Sequence, residues 1–238
     1  MGGDMNSIGI AEARSALAWW LEAGVDALVT ETPRDWLKPA APRNAPVAEP
    51  EPAANLLQPS PDTLAELQQW LASSVDLPLA ASATKRVLPH GPENAPVMLL
   101  SDGPTITDAA SGQPIGGEAW TLAERMLAAI GIAADEAYSA SLSCVLAPGA
   151  RMTEDERKAC GEIARQHIRL AKPLRLILFG DGPSLALLGK RVVEARGHVH
   201  KVEGVRTVAT FHPRHLIKRP LDKSLAWRDL LLLMEDGS

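Results

Sequence analysis

Cysteine is scarce in this chain: Cys144 and Cys160 are the only two in 238 residues. Two cysteines do not make a disulfide scaffold. Two thiolates alone cannot hold an iron–sulfur cluster either, since a cluster takes four ligands. No run of about 18 apolar residues occurs, so no membrane-spanning helix is expected. The N-terminus lacks the basic-then-apolar pattern of a secretory leader, which points to a cytoplasmic protein. A glycine-rich stretch at 101–117 is not followed by Gly-Lys-Ser/Thr, so it is no P-loop. What the chain does have is 46% apolar residues, enough for a real core.

Positive charge is also scarce in the first part of the chain. Residues 1–150 hold 7 Lys+Arg against 18 Asp+Glu, a net of −11, whereas residues 151–238 hold 17 against 11, a net of +6. His198, His200, His212 and His215 lie in the basic part. This asymmetry suggests an anionic partner for the C-terminal part, although a solvated basic face would give the same count.

Residues 8–26 carry Ala, Leu and Trp at helical spacing, with Gly24 as a stop signal. Seven prolines then fall between Pro39 and Pro61. Proline has no N–H and stiffens the chain, so this stretch is an extended linker. The division expected is a helical segment over 1–38, a Pro-rich linker over 39–61 and an α/β domain over 62–238. A helix with a Ser or Asp cap opens the domain, with Leu64, Leu67 and Leu71 on one face. From residue 95 on, short apolar runs alternate with amphipathic helical segments. That rhythm predicts a three-layer α/β/α sandwich around a central, mainly parallel four-stranded sheet. "RGHVHKVEG" (196–204) reads as a flexible basic loop.

In such a sheet ligands sit beyond the carboxyl ends of the strands. "SDGPTITDAASGQPIGG", "CVLAPGARM", "FGDGPS" and "FHPRHLIKRP" then share one rim. Asp102 and Asp108 could hold a water or a metal, or could serve as turn formers. A neutral imidazole at His212, just past a strand, could donate a hydrogen bond to a developing oxyanion. Arg214, Lys218 and Arg219 can neutralise phosphates. His198 and His200, at i and i+2, could face one way on a strand. With no acidic or cysteine partner nearby, no metal site is expected.

Taken together, these residues resemble the uracil-DNA glycosylase superfamily, and within it the iron–sulfur-containing family 4 enzymes. "TFHPRHLIKRPLDKSLAWRDL" matches the family's strand–His-Pro-x-x-Leu–helix segment. "APVMLLSDGP...SGQPIGGEAWTLAERML" matches the first glycine-rich motif in spacing, and Cys144 and Cys160 match the third and fourth cluster cysteines. "WWLEAGVD...ETPRDWL" is similar to the leader of some bacterial members.

The resemblance implies a base flipped out of DNA and an oxocarbenium-like transition state. It implies catalytic roles for Asp102, which orients water or stabilises the cation, and for His212, which steadies charge on the leaving base. It places Gly103 and Pro104 in the base pocket. Ile115 stands at the position of the stacking Phe, and Ala140 at that of the base-reading Asn. Residues 95–238 contain no Asn; Gln113 or Ser139 would have to substitute. The DNA backbone would meet Arg214, His215, Lys218 and Arg219. Asp102 stands where the family has Glu, so its carboxylate is set back by one C–C bond. The first two cluster cysteines fall near Ser74 and Leu77, so no cofactor is expected. Two readings follow. One is a DNA glycosylase with an altered or weak pocket. The other is a catalytically degenerate member that binds DNA, single-stranded or with a flipped base, or a protein partner through its N-terminal helix.

Overall fold

The structure is a computed structural model and describes residues 61–80, 83 and 85–235. The helix expected over 8–26 lies outside the described residues, as does the linker except for Pro61. In chain order the described elements are α1 (Leu64–Ser73), β1 (Lys85–Arg86), β2 (Val97–Ser101), α2 (Ile106–Ser111), α3 (Gly117–Ala129), β3 (Ala137–Ser141), β4 (Val145–Leu146) and α4 (Glu154–Ala171). There follow β5 (Arg175–Phe179), α5 (Asp181–Leu188), α6 (Val192–Ala195), β6 (Val199–Val202), β7 (Val205–Thr210), α7 (Pro213–Lys218) and α8 (Lys223–Met234).

The main sheet has the order β3-β2-β5-β7-β6. Its first four strands are mutually parallel, and β6 pairs antiparallel to β7. The parallel part thus has the four strands expected, and an edge strand makes the sheet five-stranded. That fifth strand lies in "RGHVHKVEG", expected to be a loop. Val199 pairs with Val208 and Val202 with Val205. Between the strands, Glu203 and Gly204 sit at φ 50° and 80°. Two left-handed residues make the hairpin turn whose twist suits the flanking strands.

Alternation along the strands separates two cores. Met98, Leu100, Tyr138, Ala140, Leu176 and Leu178 face α4 and α5, meeting Cys160, Ala164, Ile168 and Leu187. Val97, Leu99, Ile177, Phe179 and Val208 face α3 and α8, meeting Ala119, Leu127, Leu230 and Leu233. Helices on both faces of a mainly parallel sheet give the three-layer sandwich. Each fully buried aliphatic side chain contributes about 1.5–3 kcal/mol.

Local signals set the helix starts. Thr63 and Glu66 form a capping box on α1, so the cap is Thr rather than the Ser or Asp expected. Thr153 and Glu156 do the same for α4, which carries Glu154, Asp155 and Glu156 in its first turn and Arg169 in its last, as the helix dipole favours. Leu64, Leu67 and Leu71 are buried, as the spacing predicts. "FGDGPS", expected as a turn, instead supplies the first turn of α5, because Gly180 at φ 90° lets the chain enter the helix directly from β5. The glycine-rich stretch 101–117 contains the short helix α2.

Candidate active site

β7 delivers His212 to the carboxyl end of the sheet. The strand end is anchored by Thr210, whose Oγ1 donates to Asp229 of α8 at 2.8 Å. Asp229 also accepts from Gly197 N at 3.0 Å and from the Arg196 guanidinium. His212 is the N-cap of α7, with Pro213 at the first helical position. Its Nδ1 accepts from the backbone N–H of Arg214 at 3.0 Å. A neutral ring whose Nδ1 accepts carries its proton on Nε2. Among the described residues, only His212 Nε2 and Arg206 Nε are buried side-chain nitrogen or oxygen atoms without a hydrogen-bond partner. The ring is 8% exposed and tilts against Phe179 at 5.8 Å between centroids. Burial, assisted by the Arg214 cation and opposed by Asp108, pushes the imidazole pKa down to about 3. His212 is therefore a neutral donor with an unused N–H.

A cleft of about 420 Å³ opens at these strand ends. The segment after β2 contributes Asp102 and Thr105, the end of β5 contributes Phe179 and Gly180, and the last motif contributes His212, Arg214, His215 and Lys218. Three of the four rim segments expected from the sequence thus converge. "CVLAPGARM" does not contribute, because Cys144 and Val145 pack beneath α1. Sequence reasoning did not single out Thr105, Phe179 or Gly180, although the strand-end rule placed "FGDGPS" on the rim.

Asp108, left open between ligand and turn former, forms the turn. It is 0% exposed. Its Oδ2 accepts from Thr105 N and Thr105 Oγ1, both at 2.7 Å, and its Oδ1 from Gly116 N at 2.7 Å. The Arg214 guanidinium pairs with the same carboxylate. Lys85 donates to the Ala109 carbonyl. One buried carboxylate thus closes the glycine-rich segment and ties it to the last motif. The Thr105-x-x-Asp108 spacing is a capping-box signal, and it was the one sequence clue to this role.

The remaining candidates separate. Lys218 and Arg219 are exposed. His215 stacks on Phe211 at 4.7 Å, and its Nε2 bonds to Asp222 at 2.7 Å. Gly103 is half-buried and Pro104 buried. Ile115 and Ala140 are both 0% exposed and pack into the two cores on opposite faces of the sheet. Ser139 is buried, with its Oγ donating to the His90 carbonyl at 3.2 Å, and Gln113 is half-buried. His198 and His200 lie on β6 with ring centroids 6.4 Å apart, and His200 Nε2 donates to the Ala195 carbonyl at 2.7 Å. Among the described residues no group of three or more His, Cys, Asp or Glu could hold a metal ion. No described helix is long and apolar enough to cross a membrane.

The two cysteines meet at a different corner. Cys144, Cys160, Leu71, Leu77 and Ile163 surround a void of about 10 Å³, at the lower limit of about 10–15 Å³ for a single water. Cys144 Sγ donates to the Leu71 carbonyl at 3.6 Å. Burial pushes the Cys160 thiol up to about 12, helped by Cys144 and Glu156, and raises Cys144 as well. Leu77 is part of this apolar cluster. The Ser74 carbonyl accepts from the Arg86 guanidinium, and its hydroxyl accepts from Asp76 N at 3.1 Å. Protonated thiols, an aliphatic plug and two missing ligands do not fit an iron–sulfur cluster.

Against known proteins, the family model of the uracil DNA glycosylase superfamily matches residues 88–231, more than half of the chain. A type-4 uracil-DNA glycosylase from Thermotoga maritima is 26% identical over 146 residues, 59% of this chain and 76% of that protein. One from Archaeoglobus fulgidus is 22% identical over 170 residues, covering 67% and 85%. One from Pyrobaculum aerophilum is 23% identical over 185 residues, covering 73% and 94%.

Proposed function

The chain belongs to the uracil DNA glycosylase superfamily, and from that premise we propose that it hydrolyses the N-glycosidic bond of a deaminated or damaged base in DNA, with turnover weakened at the base pocket. The observation that carries this reading is the neutral His212 with its unpartnered, buried Nε2. As the glycosidic bond breaks, its electron pair leaves with the base. The Nε2–H of His212 then donates to the base oxygen on which negative charge collects. One preorganised donor of this kind is worth about 10²–10³ in rate. The Asp102 carboxylate faces the sugar, where it offsets the oxocarbenium charge and orients the water that adds to C1′. Lys218, Arg219 and His215 meet the phosphates, joined by the guanidinium donors of Arg214 that Asp108 leaves free.

Weak turnover follows from the same residues. A carboxylate set back by about 1 Å costs on the order of 100-fold. Ile115 and Ala140, both fully buried, offer a flipped base neither a stacking face nor an edge reader. That burial favours a second reading, a degenerate member in the cytoplasm that holds DNA, or a protein partner through its N-terminal helix, without cutting.

The test incubates the protein with single-stranded and duplex oligonucleotides carrying uracil or hypoxanthine, then cleaves abasic sites with alkali. Product from wild type that falls about 10²–10³-fold in His212→Ala supports excision. No product together with salt-sensitive DNA binding supports the second reading. No binding even at low salt sinks both.

A further inference from the structure

Gly182 is the second residue of α5 and is not at a positive φ, so no backbone requirement accounts for glycine there. What accounts for it is Asp102. A methyl group at position 182 would stand 2.3 Å from Asp102 Oδ1, 2.6 Å from its Cγ and 2.9 Å from its Oδ2. Its three nearest neighbours would all be atoms of that one carboxylate. The floor beneath the carboxylate is fixed. Asp181 accepts from Val192 N at 2.8 Å and from Arg191 Nη2 at 3.1 Å, and Ser184 Oγ donates to the Gly180 carbonyl at 2.7 Å. Asp102 itself is exposed, and its side chain accepts from the N–H of Gly103 at 3.0 Å.

We propose that Gly182 is a positioning residue for base excision: its missing side chain is the seat that holds the Asp102 carboxylate against the first turn of α5, at the mouth of the cleft. This rests on the reading of Asp102 given above. A carboxylate near a helix N-terminus is electrostatically favoured. Because the carboxylate is the free end of an exposed side chain, a methyl at 182 displaces it rather than unfolding the domain. Alanine is also the better helix former. The substitution therefore separates positioning from stability.

The experiment is a double-mutant cycle of Gly182→Ala and Asp102→Ala in the full chain, read by melting temperature and by steady-state excision from a single-stranded uracil oligonucleotide. Gly182→Ala lowers kcat about 100-fold with KM held within about twofold, and causes no further loss in Asp102→Ala. In the Asp102→Ala background it raises Tm by roughly 2–4 °C; with Asp102 present the rise is smaller or becomes a fall. Equal Tm shifts in both backgrounds, or equal fractional losses of kcat, overturn the proposal. If Gly182→Ala alone fails to fold, the double variant must fold, and failure of both overturns it. A wild-type protein that releases no base removes the catalytic reading and the role of Gly182 with it. Unequal Tm shifts in that same protein would show a seat that exists without serving excision, so the two failures are distinguishable.

Discussion

Around His212 the strand ends leave an open cleft of about 420 Å³ faced by a neutral imidazole, an exposed carboxylate and the cations of Arg214 and Lys218. Around Cys144 and Cys160 the chain leaves a void of about 10 Å³ walled by Leu71, Leu77 and Ile163. The cleft sits at the ends of the five-stranded sheet, whereas the void lies beside the separate two-stranded pairing of β1 with β4. One keeps polar groups whose hydrogen-bonding capacity is unspent. In the other, buried thiols stay protonated and aliphatic side chains occupy the space. An unsatisfied buried donor is costly, so the first corner suits a ligand that would accept from it, and the second suits packing.

The comparison breaks first at Asp108. Asp108→Ala removes the acceptor shared by Thr105, Gly116 and Arg214. It should cost about 3–5 kcal/mol in urea unfolding and abolish excision. A loss under 1 kcal/mol would mean that the glycine-rich segment holds itself. His212→Ala should lower excision about 10²–10³-fold, about 2.7–4 kcal/mol of transition-state stabilisation, while the lost cap of α7 costs about 1 kcal/mol of stability. Cys160→Ser should cost stability alone. A hydroxyl in that apolar void costs roughly 1–3 kcal/mol, with excision unchanged within about twofold. An equal loss of activity from both variants would erase the distinction between the corners.

Acid sharpens the contrast. Burial holds His212 near 3 and His167, which shares a 2.7 Å bond with Tyr138, near 4. Below the ordinary histidine value of 6.5 the unfolded chain binds protons that these folded rings refuse. Stability is therefore intact above pH 6.5 and falls as pH drops toward 4, by about 1.4 kcal/mol per unit for each histidine. Urea titrations across that window should show the slope, and His167→Gln should flatten it by about half. The smallest effect belongs to the rim. Lys218→Ala should weaken duplex binding and reduce the log–log salt slope by about 0.9; an unchanged slope would place the phosphates elsewhere.

The two corners also differ in how far they could be read in advance. His212 was legible because a β-branched run ends at Phe-His-Pro and basic residues follow. The sandwich was legible because buried parallel strands are short apolar runs. β6 was not, since an edge strand keeps polar residues on its open side, and His200 and Lys201 masked the pairing that Val199 and Val202 make. The Asp108–Arg214 pair joins residues 106 positions apart, and no local pattern announces so distant a contact. Nor could spacing show that Ile115 and Ala140 turn into the cores, because a family position fixes a place along the chain and not the direction of a side chain. Nothing local marks Gly182, because the carboxylate that its missing side chain makes room for lies 80 positions earlier, at Asp102.

The most direct measurement is the protonation of His212 by long-range ¹H–¹⁵N NMR from pH 8 down to pH 4, with His212→Gln to assign the ring. The expected result is a neutral imidazole protonated at Nε2 throughout, because burial holds its pKa near 3. A ring that titrates near 6.5, or that carries its proton on Nδ1, would contradict the assignment of His212 as the donor to the leaving base.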